Sequence, residues 1–132
     1  MLLRSRLRRL REEAGASSVE LLVFFPLLML IVLMTVQVAL SWYGNEVART
    51  TAREVARQVR GGDSPAVAQV EGVAYARRVG GGALQDVVVD VTVRGQEVSV
   101  EVSGESMDIV AGFAPRVTAT VTSQIESFRE DR

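Results

Sequence analysis

Residues 21–45 read LLVFFPLLMLIVLMTVQVALSWYGN, a run without a single charge in which 19 of 25 positions are aliphatic, aromatic or Met. As a helix it would extend about 37 Å, more than the roughly 30 Å hydrocarbon core of a bilayer. A buried core helix of this length needs cover on every side, which a chain of 132 residues is too small to supply. The run is therefore expected to cross a membrane. A secretory signal is the nearest rival, since Ala39-Leu40-Ser41 resembles a small-residue cleavage site, but the apolar region is too long for one.

Charge sets the direction of crossing. Residues 1–15 carry five Arg and two Glu, or 5 − 2 = +3, whereas the remaining 117 residues carry ten Arg and fourteen acids, or 10 − 14 = −4. Arg4, Arg6, Arg8, Arg9 and Arg11 precede the apolar run closely enough to hold the N-terminus in the cytoplasm, which sends the C-terminus outside. Trp42 and Tyr43 stand at the far end, where amphipathic rings favour the interface. All fifteen basic residues are Arg, and with no His and no Cys the chain lacks imidazole catalysis, thiol chemistry, disulfides and ordinary zinc ligands. No cofactor or metal is expected. Asp90 and Glu101 share the polar face of an expected hairpin, a pattern that usually serves solubility rather than catalysis, so the chain is not expected to be an enzyme. The basic leader already has a topological explanation, which leaves nothing to indicate nucleic acid as a partner.

Past the apolar run, helical spacing continues. Val47, Val55 and Val59 form one stripe, Ala48, Ala52 and Ala56 a second, and Arg49, Arg53 and Arg57 a third. The Arg stripe reads as a solvated face or a binding surface, with Glu46 and Glu54 placed three residues before Arg49 and Arg57 to offset it. Gly61-Gly62 should end this helix. Ser64-Pro65 is a helix start, and Val67, Val70, Val73 and Ala74 give a second amphipathic helix that stops before Gly80-Gly81-Gly82. From Val87 the period drops to two. Val87, Val89, Val91 and Val93 alternate with Val88, Asp90 and Thr92; Arg94-Gly95-Gln96-Glu97 turns; Val98, Val100 and Val102 return. Residues 103–116 fit either a short helix or a loop packed on the sheet. Val117, Ala119, Val121 and Ile125 alternate with Thr118, Thr120 and Thr122 in a third strand ahead of a polar tail. The fold class is α+β: a long N-terminal transmembrane helix continuing outward, a second short helix and a small three-stranded antiparallel sheet. The boundaries are a basic leader at 1–15, the transmembrane and extended helix at 16–60, and a small extracytoplasmic domain at 61–132.

One short motif carries the chemistry. Gly15-Ala16-Ser17-Ser18-Val19-Glu20 places a glycine after the basic leader and a carboxylate at the edge of the apolar helix. The leader's arginines hold Gly15 near the cytoplasmic face, and a residue without a side chain leaves its backbone accessible. Here the chain resembles a type IV prepilin. With Phe25-Pro26-Leu27 early in the span and the stretch from Asn45 to Arg57, it is similar to the TadE-like family of tight-adherence pilus proteins. The resemblance covers about residues 10–60. It implies cleavage after Gly15 by a prepilin peptidase, Ala16 as the new N-terminus, other pilin subunits and a pilus assembly platform as partners beside membrane lipid, and a structural role in a Flp-type pilus.

Glu20 is the fifth residue after that cleavage point. A lone carboxylate at this depth costs up to roughly 2.5–3.5 kcal/mol in the limit of helix-centre burial. The residues alone allow two outcomes, a carboxylate that snorkels to water or one that finds a cation. The resemblance implies that the cation is the freed Ala16 amine of a neighbouring subunit. Pro26 lacks an N–H and is expected to kink the helix. Leu21 stands where major tight-adherence pilins commonly have Tyr, which, with the size of the outer region, favours a minor pilin or pseudopilin. The alternative is an uncleaved single-pass anchor that displays an extracytoplasmic binding or regulatory domain.

Overall fold

A computed structural model describes the backbone of residues 2–125 and the side chains of residues 17–125. Its elements run in the order α1 (Leu2–Arg60), α2 (Pro65–Gly80), β1 (Leu84–Arg94), β2 (Glu97–Ser106) and β3 (Arg116–Gln124). The three strands form one antiparallel sheet in the order β1-β2-β3. This is the α+β, pilin-like layout expected from the sequence. The polar tail at 126–132 lies outside the described residues. Internal contacts divide the chain into two units, Met1–Val36 and Gln37–Arg132.

In the first unit, the helical stretch after Ser17 offers its apolar side chains outward: Leu22, Val23, Phe24, Phe25, Leu28 and Ile31 are all exposed. Nothing in its most apolar window is buried, and it is long and apolar enough to cross a membrane. Pro26 sits inside α1, whose helical assignment continues on both sides of it.

The second unit packs around the last part of α1. Val47, Ala48, Ala52, Val55, Ala56 and Val59 are buried against Val89 of β1, Val98, Val100 and Val102 of β2, and Val117 and Ala119 of β3. The two stripes read as apolar are thus the helix face that meets the sheet, and Thr51 completes it with its hydroxyl donated to the Val47 carbonyl at 2.8 Å. Arg49, Arg53 and Arg57 lie on the exposed side. Arg57 donates to both Glu54 oxygens, at 2.9 and 2.6 Å, and these hydrogen bonds hold the Glu54 carboxyl below its ordinary pKa against a smaller opposing effect of desolvation. Helix α1 ends at Arg60, and Gly62 at φ +107° takes the turn that a Cβ would disfavour.

Helix α2 starts as its sequence indicates, with Ser64 at the N-cap accepting from the Val67 N–H and Pro65 in the first turn. Its inner face differs from the expected one. The buried residues are Ala68, Gly72, Ala76 and Gly80, while Val67 and Val70 are exposed and Val73 is partly buried. The reason is distance: a Cβ on Gly72 would stand 2.5 Å from Val55 Cγ2, and one on Gly80 would stand 2.8 Å from Val47 Cγ1. A helix lying this close to α1 must present its smallest residues, so spacing of large apolar residues pointed to the wrong face.

The first strand begins three residues earlier than its alternation suggests, at Leu84. Pairing passes from Gln85↔Glu105 to Val88↔Ser103, so Asp86 and Val87 oppose the single residue Gly104. This bulge inverts the period and lets Leu84 and Val89 both face the core despite their odd separation. Gly104 is required there, since a Cβ would lie 2.8 Å from the Gln85 carbonyl oxygen. Of the segment 103–116, residues 103–106 continue β2 and 107–115 form a loop, not a helix.

Candidate functional site

Two places on α1 carry polar groups in otherwise apolar surroundings. The first is the inner edge of the apolar run. Ser17, Glu20, Leu21 and Phe24, spaced three and four apart, share one side of the helix and border a shallow hollow. Glu20 is exposed there and makes no ion pair among the described residues. The backbone of Gly15 and Ala16 belongs to α1, while their surroundings and the leader arginines lie outside the described side chains. The structure therefore brings Glu20 together with Ser17 and Phe24, and holds Pro26 about 1.7 turns beyond Glu20 along the same helix.

The second place went unnoticed in the sequence. Gln37 lies within the uncharged run, yet it is only 4 % exposed. Its Nε2 donates to the carbonyls of Met107 at 3.2 Å and Phe113 at 3.0 Å, and its Oε1 accepts from the Ile109 N–H at 3.0 Å. Both amide hydrogens and the carbonyl oxygen are thus engaged with one loop, which removes the penalty an unpaired buried amide would carry. One turn on, the Ser41 hydroxyl donates to the Gln37 carbonyl and approaches Ser106 Oγ at 3.5 Å. Gly44 follows, where a Cβ would meet the Ala83 carbonyl oxygen at 3.2 Å. Gln37, Ser41 and Gly44, then Ala48, Thr51 and Val55, form one continuous seam along α1. The outer nine residues of the 25-residue run therefore belong to the sheet-bearing unit.

The uncharged stretch of helix without a buried residue is residues 21–36, and beyond it Val38, Ala39, Trp42 and Tyr43 remain exposed. The recurrence of Gln37, Ser41 and Gly44 among large apolar residues, in phase with the apolar stripe beyond, was the signal available in the sequence. Among the described residues no group of three or more Asp or Glu side chains is arranged to hold a metal ion.

A carboxylate at the head of an exposed apolar helix that is long and apolar enough to cross a membrane, with a small three-stranded sheet following in the chain, is a pilin-like layout. Residues 15–57 match the family model described as TadE-like protein, so this segment, from Gly15 to the Arg57 turn, carries the TadE-like family signature. No curated protein and no solved structure matches the chain.

Proposed function

We propose that the protein is a minor pilin or pseudopilin of a tight-adherence, Flp-type pilus, inserted in the cytoplasmic membrane with its N-terminus inside and processed by a prepilin peptidase between Gly15 and Ala16. The observation that carries this reading is the placement of Glu20 on an exposed, uncharged helix five residues after Gly15, within the segment that matches the TadE-like family. Cleavage removes the net charge of +3 in residues 1–15 and creates an amine at Ala16. That amine, on a neighbouring subunit, neutralises Glu20 as the helix exchanges lipid for other pilin helices. The exposed face of residues 21–36 thus serves first for membrane storage and then for packing in the filament or at its base. Pro26 weakens one turn of the helix, which eases its extraction from the bilayer. The sheet faces outward, on the cell surface or in an extracellular pilus.

Replacing Gly15 by Leu tests the reading. The longer precursor should accumulate in the membrane and pili should be lost. Normal pili from an unprocessed Gly15→Leu chain would instead favour an uncleaved anchor displaying an outer domain.

A further inference from the structure

The stretch of α1 without a buried residue, between Glu20 and Gln37, is shorter than a bilayer core, so a crossing has to draw in the next residues, where Val38 and Ala39 are exposed but Gln37 holds a loop. Residues 21–36 number sixteen, and at 1.5 Å per residue they rise about 24 Å, roughly 6 Å less than a hydrocarbon core of about 30 Å. Tilt only shortens the reach. A membrane-spanning segment with this deficit must thin the bilayer or bring further apolar surface into it.

That further surface is present on the loop that Gln37 holds. Ile109 is 50 % exposed and Phe113 is 60 % exposed, and neither belongs to the buried core. Their backbone atoms lie 3.0 Å from the Gln37 side-chain amide, through Ile109 N and Phe113 O. The loop is thus held by the residue that follows Val36 in the chain. The loop is shaped internally as well: Asp108 accepts from the Gly112 N–H at 3.3 Å, and the Phe113 N–H donates to the Val110 carbonyl at 3.0 Å. Its one acidic side chain is therefore engaged in forming the turn. On α1 just beyond Gln37, Val38 is exposed and Trp42 is 77 % exposed, an aromatic suited to headgroup level.

We propose that the 107–113 loop is a second membrane contact, in which Ile109 and Phe113 enter the outer leaflet beside the end of the helix and Gln37 is the positioning residue that pins them there. The proposal rests on the membrane-anchored reading above. Penetration of about 5–10 Å, the depth at which interfacial apolar side chains settle, covers the deficit of the helix. The occupant of this surface is lipid, and the loop fixes how deeply the outer domain is seated before assembly.

Trp42 is the sole tryptophan, which makes depth measurable. The full chain, reconstituted in phosphatidylethanolamine–phosphatidylglycerol vesicles, is compared in two single-tryptophan forms: Trp42→Phe with Phe113→Trp, and Trp42→Phe with Leu30→Trp. Lipids brominated near the glycerol should quench the loop probe more than lipids brominated near the chain ends, and the helix probe should show the reverse. Adding Gln37→Ala should lower lipid quenching of the loop probe at least twofold. A helix probe quenched by deep bromine beside a loop probe quenched only by aqueous acrylamide overturns the loop contact and leaves the anchor standing. A helix probe untouched by lipid overturns the anchor itself. Should the Phe113 substitution disturb the fold, Ile109→Trp in the Trp42→Phe background gives the same reading, and its failure to sense lipid counts equally against the proposal.

Discussion

Replacing Gly72 by Ala inverts an ordinary rule of helix stability, and the structure gives the size of the inversion. At an unhindered interior position of a helix, Ala is better than Gly by about 1 kcal/mol. On α2, however, the new Cβ would lie 2.5 Å from Val55 Cγ2, at least about 1 Å inside an ordinary carbon–carbon contact. Val55 is fully buried and sits on a helix, where a β-branched side chain keeps one rotamer. Sideways escape is blocked too, because the Val89 methyls stand 3.4 and 3.5 Å from the same point. Overpacking of this kind costs about 1–3 kcal/mol, so after the propensity gain the net change runs from about zero to a loss of about 2 kcal/mol.

Hydrogen exchange of the α2 amides in the full chain, held in detergent micelles, reads this loss as faster local opening. Ala74→Gly, on the exposed side of the same helix, supplies the propensity scale, with an expected loss of about 1 kcal/mol. In a Val55→Ala background the sign should reverse: Gly72→Ala should then slow exchange, because the obstructing methyls are gone. Slower exchange for Gly72→Ala beside an intact Val55 would refute the close approach of α2 to α1.

Three further outcomes follow from the geometry. Gln37→Ala leaves two loop carbonyls and one N–H without their partner, and at about 1 kcal/mol for each part-buried hydrogen bond it should lower the stability of the outer unit by about 2–3 kcal/mol, measured as earlier urea unfolding in micelles. Asp86 sits at φ +49° in the β1 bulge, so Asp86→Gly should be neutral or stabilising by up to about 1 kcal/mol in the same assay, whereas Asp86→Val should be destabilising by at least as much. Glu20→Ala removes the carboxylate from the lipid boundary, so membrane insertion should be unchanged or improved while pilus yield falls at least tenfold; equal yield by quantitative immunoblot of sheared pili would remove its pairing role.

The elements that sequence periodicity located well are those with one large apolar side chain per repeat. Val47, Val55 and Val59 on α1 and Val98, Val100 and Val102 on β2 each mark the face that is buried, because a branched side chain has to leave water wherever the fold permits. Where closeness rather than bulk decides, the same reasoning picked the wrong residues. Helix α2 buries Ala68, Gly72, Ala76 and Gly80, whose value lies in the side chain they lack, and it leaves Val67 and Val70 in solvent. The bulge at Asp86 hid the start of β1, since one extra residue exchanges the two sides of a strand and an alternation count then stops at Val87. Gln37 was hidden by its neighbours: an amide among so many Leu, Val and Met residues counts as one polar position in a span, and its role depends on a loop about seventy residues away. At the candidate site, the separation of Gly15 and Glu20 and the charge of the leader were legible directly, because they are local in sequence. The loop that Gln37 holds depends on tertiary contact and was not.

The account depends on whether the arginine-bearing leader is removed. Intact mass and N-terminal sequencing of the protein extracted from membranes of cells that contain a prepilin peptidase, compared with cells lacking it, measure this directly. The extracted chain should begin at Ala16, with or without a methyl group on its amine, and a precursor that keeps residues 1–15 should remain only where the peptidase is missing. A chain that begins at Met1 in both cells, or at Trp42 in either, would contradict it.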